Sequence, residues 1–162
     1  MTFRFDKLTV KAQEAVAGAQ SLASERGHPE LDSLHLLAAL TAEAEGIPRA
    51  VLGKIGVNLG QLQRMLESEL ERLPRVSGGS PPQPNQALGQ VLQAAAREAE
   101  TLKDDFVSTE HLLLALTKTD CRARTLLQLN AVREQDVLQA LKTVRGASRV
   151  TDQNPEGKYQ AL

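Results

Sequence analysis

A seven-residue segment occurs twice in this chain. His35-Leu-Leu-Ala-Ala-Leu-Thr41 and His111-Leu-Leu-Leu-Ala-Leu-Thr117 differ only at Ala38/Leu114. The same offset pairs Ala19 with Ala95, Ala23 with Ala99, Leu31 with Val107, Ser33 with Thr109, and the apolar Val16 with Leu92. Such a duplication restricts the fold. Each copy presents an apolar face that the other must cover, so two pseudo-twofold-related units packed as one bundle are expected.

Each unit reads as four helices. From Val10 to about Glu25, apolar residues recur at helical spacing behind Thr9, whose hydroxyl suits an N-cap. Asp32 or Ser33 caps a second helix to Ala44, Pro48 opens a short third, and Asn58 with Gln61 opens a fourth to about Leu73. The pattern restarts at Gln86. Helices follow to about Lys103, after Ser108 or Thr109, around Ala123–Leu129, and from Glu134 to Arg145. Between the copies, 74–84 holds four prolines and two glycines, which excludes a regular element and reads as a linker. The expected division is therefore repeat one at 1–73, linker at 74–84, repeat two at 85–145 and a polar, flexible tail at 146–162. Composition agrees with an all-α fold. Hydrophobic residues make up 41 % but aromatics only 2 %, so Leu, Ala and Val must fill the core.

Several functions are disfavoured. Charge is balanced at −1 with no basic stripe, and aromatic stacking platforms are nearly absent, so no nucleic-acid partner is expected. Neither a signal peptide nor a membrane-spanning run is visible, giving a cytoplasmic protein without a membrane partner as the default. Cys121 has no partner for an internal disulfide. No Gly-x-x-x-x-Gly-Lys-Ser/Thr phosphate loop or zinc-ligand spacing occurs, so no cofactor, metal or catalytic residue is expected here. His35 and His111 occupy equivalent positions beside leucines and read as junction fillers bonded to nearby backbone. An enzyme using His111 or Cys121 ranks low.

The copies also differ. Asp104 replaces His28 and Glu110 replaces Leu34, so repeat two carries an acidic cluster, with Asp105, flanking Phe106-Val107. Acids near a helix N-terminus offset its dipole, which is the competing explanation for Glu110.

The chain resembles the N-terminal (Clp repeat) domains of the ClpB, or Hsp100/Hsp104-type, AAA+ protein disaggregases. The resemblance rests on Lys7-Leu-Thr-x-Lys-x-Gln-Glu14, Ala19-Gln-Ser-Leu-Ala23, both His-Leu-Leu helices, Arg72-Leu-Pro-Arg-Val-x-Gly78 and Phe106-Val-Ser-Thr-Glu110. To these it adds Arg145-Gly-x-x-x-Val150 leading to Tyr159-Gln-Ala-Leu162. It covers essentially the whole chain. It implies a module that captures unfolded or aggregated polypeptide for threading through a hexameric ring working with Hsp70 (DnaK). ATP and Mg would belong to ATPase modules outside this sequence. It assigns substrate binding to Thr9, Asp104 and Glu110. A groove with leucines and alanines of the first helix and Phe106-Val107 as floor, and Asp104 and Glu110 on its rim, would suit such a ligand. The alternatives are adaptor docking, as in ClpA or ClpC, and a structural spacer.

Overall fold

The computed structural model describes residues 4–146 together with Val150, Thr151, Gln153 and Pro155. Among these, a single 3-10 turn precedes eight α-helices: α1 Val10–Glu25, α2 Ser33–Ala42, α3 Ile47–Ile55, α4 Leu59–Glu71, α5 Gln86–Thr101, α6 Thr109–Lys118, α7 Arg122–Leu129 and α8 Glu134–Arg145. The all-α expectation holds, and each helix lies within a few residues of where periodicity and caps put it.

The caps show why. Thr9 Oγ1 accepts the Ala12 N–H, Asn58 the Gln61 N–H, and Asn85 the Leu88 N–H, each meeting a donor the helix leaves unpaired. Before α2 and α6 the device is less common. Asp32 and Ser108 are the caps, and the third helical residue, His35 or His111, reaches back through Nδ1 to accept the cap's own N–H. The repeated histidines thus close two copies of one capping box.

The two units exchange backbone at equivalent places. Residues before α5 pair with the loop of repeat one as a short parallel ladder, β1 (Glu30–Leu31) against β2 (Gln83–Pro84), with Leu31 opposite Pro84. Residues before α1 pair with the loop of repeat two by a parallel bridge between Leu8 and Val107. Asn85 N–H donates to Leu31 O at 3.0 Å, and Thr9 N–H to Val107 O at 2.9 Å. Each repeat therefore supplies the strand that closes the other, which puts the pseudo-twofold relation into hydrogen bonds. The pairing at Gln83–Pro84 corrects the expectation that 74–84 holds no regular element. Pro84 is tolerated because a two-residue ladder needs no donor from it.

α2 and α6, apolar nearly all round, run through the middle. Leu34, Leu37, Leu112, Leu113 and Leu116 are fully buried there. Repeat one also caps repeat two, since Ser33 Oγ accepts the Ala123 N–H at the start of α7. Gly27 turns the chain out of α1 at φ +71°, and an added Cβ would meet Val76 O at 3.0 Å. Its counterpart Lys103 holds φ +61°, so repeat two makes the same turn with a side chain in the left-handed region. The tail is expected to be a flexible linker. Of it, Val150 is instead fully buried and tied to the body, and Tyr159–Leu162 lie outside the described residues.

Candidate polypeptide-binding surface

The five residues singled out in the sequence meet at one corner. Thr9 starts α1 and bonds Val107 through the backbone, while Val107 N–H donates to Lys7 O at 2.8 Å. Phe106 beside it is half-buried, with Lys7 Nζ 5.9 Å from its ring centre. Asp104 lies in the loop after α5 and Glu110 in the first turn of α6.

Their carboxylates do not form a rim. Both are completely enclosed and converge on Arg145, the last residue of α8. The guanidinium donates twice to Asp104, Nη2 to Oδ1 at 2.7 Å and Nη1 to Oδ2 at 2.9 Å, and its Nε lies 3.3 Å from Glu110 Oε2. His111 Nε2 lies 2.7 Å from Asp104 Oδ2. Because His111 Nδ1 accepts the Ser108 N–H, its proton sits on Nε2 and is donated to Asp104. Ser108 Oγ bonds Glu110, and Val150 N–H donates to Asp104 Oδ1 at 2.9 Å. Burial by itself raises the Asp104 pKa. The hydrogen bonds from His111, Arg145 and Val150 outweigh it and hold the group well below the usual carboxylate range. The expected acidic rim is thus corrected to a buried charge cluster, because a cation 41 residues away in sequence folds between the two acids.

Repeat one holds the neutral counterpart. His35 Nε2 lies 2.7 Å from His28 Nδ1 in the position equivalent to Asp104. Asp32 N–H on His35 Nδ1 fixes the tautomer, so His35 donates to His28. Burial pushes the His35 pKa down to about 4, and His28 beside it acts the same way. Both His111 nitrogens are engaged by Ser108 and Asp104, and Cys121 Sγ faces Leu116 O.

An open apolar groove lies elsewhere on α1. About 470 Å³ in volume, it runs from Lys11 to Arg26 with α2 beneath and α4 opposite. Ala15, Gly18, Leu22, Ala38, Ala39 and Leu66 make its floor, and Glu14, Glu43, Glu67, Lys11 and Arg26 stand around it. Arg26 Nη2 reaches Glu67 Oε2 at 2.7 Å across one end, and Thr109 lines it as well. Of the residues expected as a floor, Ala15 and Leu22 lie along this groove, whereas Phe106 and Val107 lie away from it, at the corner beside Thr9.

At three floor positions repeat one has a smaller residue than repeat two. Val91, Ala94 and Leu114 take the places of Ala15, Gly18 and Ala38, and all three are buried. Glu98 replaces Leu22 and is bound by Lys118, which also approaches Glu134 at 3.5 Å. The divergence at Ala38/Leu114 was legible in the sequence; that Ala38 floors a groove was not.

The model of the Clp repeat (R) N-terminal domain matches residues 7–130. The chain belongs to this family. This Clp N-terminal domain is 47 % identical to the chaperone protein ClpB of Rhodopirellula baltica over its whole length, which spans 18 % of that protein. It superposes on the Hsp104 N-terminal domain of Candida albicans with a TM-score of 0.81 at 21 % identity, covering 93 % of this chain and 99 % of that one. A ClpV N-domain solved in complex with a VipB peptide gives 0.66 at 23 % identity, covering 83 % and 89 %. Among the described residues no helix is long and apolar enough to cross a membrane, and no group of three or more His, Cys, Asp or Glu is placed to hold a metal.

Proposed function

We propose that this domain captures unfolded or aggregated polypeptide and delivers it to an ATP-driven disaggregase ring. The groove between α1, α2 and α4 carries the reading. It is open, floored by small apolar residues and bordered by both signs of charge, which suits exposed apolar side chains on a chain of mixed composition. The peptide seated on the ClpV N-domain supports it by likeness. Thr9, Asp104 and Glu110 contribute to binding as positioning residues. Thr9 fixes the start of α1, and the cluster around Arg145 fixes the start of α6, where Thr109 enters the groove.

Binding is weak by design of the site. One or two apolar side chains buried here gain about 1.5–3 kcal/mol each. Ordering a floppy ligand costs several kcal/mol, which leaves a Kd on the order of micromolar to millimolar. A hexamer of full-length chains, with ATP and Mg in its ATPase modules and an Hsp70 (DnaK) partner in the cytoplasm, would compensate through effective concentration and still release the captured chain.

The test is a titration of casein or a reduced, carboxymethylated protein into the domain, followed by amide chemical shifts. Saturable shifts along Ala15–Leu22 and Ala38–Ala39 are expected, weakened at least tenfold by Ala39→Glu. Asp104→Ala/Glu110→Ala weakens them while moving α6. Absence of shifts at millimolar ligand, with the fold intact, would refute capture in favour of adaptor docking.

A further inference from the structure

We propose that the buried histidine pair of repeat one, His28 and His35, is an acid-operated latch that opens the start of α2, and the junction it holds with repeat two, while repeat two stays closed. Both rings are buried, and the pair has no place for another proton. His35 Nδ1 already accepts the Asp32 N–H at 2.9 Å, and its Nε2–H is donated to His28 Nδ1 at 2.7 Å. The His28 proton is therefore on Nε2. A third proton must face a donor. On His35 Nδ1 it meets the Asp32 N–H, and on His28 Nδ1 it meets the His35 Nε2–H. Moving the shared proton across to His28 and the His35 proton to Nδ1 only transfers the conflict to Asp32. Every charged state of the pair thus breaks either the capping box or the contact between the rings. His28 Nε2 is also buried with no hydrogen-bond partner among the described residues, so the closed state leaves unmet a donor that water would satisfy.

The surroundings act the same way. Burial, then Arg75 and Arg26, oppose a positive charge on His28, and burial, then His28 and Arg26, oppose one on His35; the Asp32 carboxylate favours it at both. What the latch holds is the seam between the repeats. Asp32 Oδ1 accepts from Asn85 Nδ2 at 2.8 Å and from Arg122 Nη1 at 2.7 Å, and Ser33 beside it caps α7. In repeat two the equivalent ring meets acceptors on both sides. Asp104 Oδ2 lies at His111 Nε2, and Ser108 Oγ lies 3.0 Å from Nδ1, so a further proton there has an oxygen to bond. Ala38 and Ala39 of the groove floor follow His35 by one turn on α2, so the opening reaches the groove. That it lowers ligand affinity rests on the capture reading above.

The experiment measures amide hydrogen exchange in the full chain at pH 7 and pH 5, each rate divided by the intrinsic rate at that pH. An opened ring titrates at the ordinary 6.5 and the closed His35 at about 4. Linkage from His35 alone then makes the opening about twentyfold more populated at pH 5. Protection at the Asp32, Leu34 and Ala123 amides falls at least about tenfold, while at Val107 and Leu112 in repeat two it changes by less than about twofold. The double variant His28→Asn/His35→Gln keeps an oxygen at each acceptor position, since glutamine closes the same capping box, and neither side chain titrates. Its protection is independent of pH at equal helicity. Ring-nitrogen chemical shifts of the parent give a second measurement that needs no variant: at pH 7 both rings carry their proton on Nε2. A proton on His35 Nδ1 at pH 7, an equal fall in protection at all five amides, or the same pH response in the double variant would overturn the latch. Titration with an uncharged leucine-rich peptide separates the two readings. Binding at least about threefold weaker at pH 5 in the parent, and not in the variant, supports both. Binding to neither protein at either pH, with the exchange result intact, upholds the latch and overturns the capture reading alone.

Discussion

Replacing Arg145 by Met removes the cation from a site that encloses two carboxylates. Asp104 and Glu110 have no exposed side-chain surface, and Arg145 itself is only 7 % exposed, so water cannot take over its role. The remaining donors are the His111 Nε2–H, the Val150 N–H and the Ser108 hydroxyl. Removing one partner of a buried ion pair costs about 3–5 kcal/mol, because the other charge stays buried and uncompensated. A domain of this kind has roughly 5–15 kcal/mol in all. With a urea slope of about 2 kcal/mol/M, the midpoint should fall by about 2 M. The assay is urea unfolding followed by circular dichroism at 222 nm, since the chain has no tryptophan. A pH signature separates charge burial from lost packing. In the parent, Asp104 is held below its ordinary pKa, so its contribution is present at neutral pH and lost only as pH falls through the folded value. In Arg145→Met the burial that raises Asp104 is no longer offset by the guanidinium, so the penalty shrinks as pH falls and that carboxylate protonates. Adding Asp104→Asn and Glu110→Gln should restore part of the loss. A cost below about 1 kcal/mol at pH 7, or a cost that does not change as pH falls, would refute the account.

Acid should weaken the fold through repeat one. The folded His35 pKa is depressed from 6.5 to about 4, so stability falls as pH drops through that window, by about 3 kcal/mol in total, with His28 acting in the same direction. A flat unfolding free energy between pH 7 and 4.5 would contradict this. Gly27→Ala places a Cβ 3.0 Å from Val76 O at positive φ and should cost about 1–3 kcal/mol, whereas Lys103→Ala at the equivalent turn should be nearly neutral; thermal melts compare the two. Thr9→Ala deletes the α1 cap and should lower stability by about 1 kcal/mol, read by urea unfolding. Gly18→Ala should raise helix stability by up to about 1 kcal/mol, since its Cβ meets Ala39 Cβ at an ordinary 3.6 Å.

The helices were legible because their causes are local. A period of 3.6 residues, an Asp, Ser, Thr or Asn cap and a proline or glycine stop act within one or two turns, and the duplication required two such units to face each other. Thr9, Phe106 and Val107 were grouped in the sequence only through the family resemblance; the parallel pairing of each repeat's loop with the segment entering the other, which brings them together, is a tertiary feature. The environments of Asp104 and Glu110 were not legible. Two acids flanking an apolar pair read as a solvated edge, and only α8 folding over them brings Arg145 within 2.7 Å. Nor could the groove be read, because it lies over small side chains at Ala15, Gly18 and Ala38 on two helices, opposite a third. Sequence determines which residues can bury and which can cap. Whether a charge faces water or a buried partner, and whether small residues leave a void or a contact, depends on distances between segments far apart in the chain, which tertiary packing alone decides.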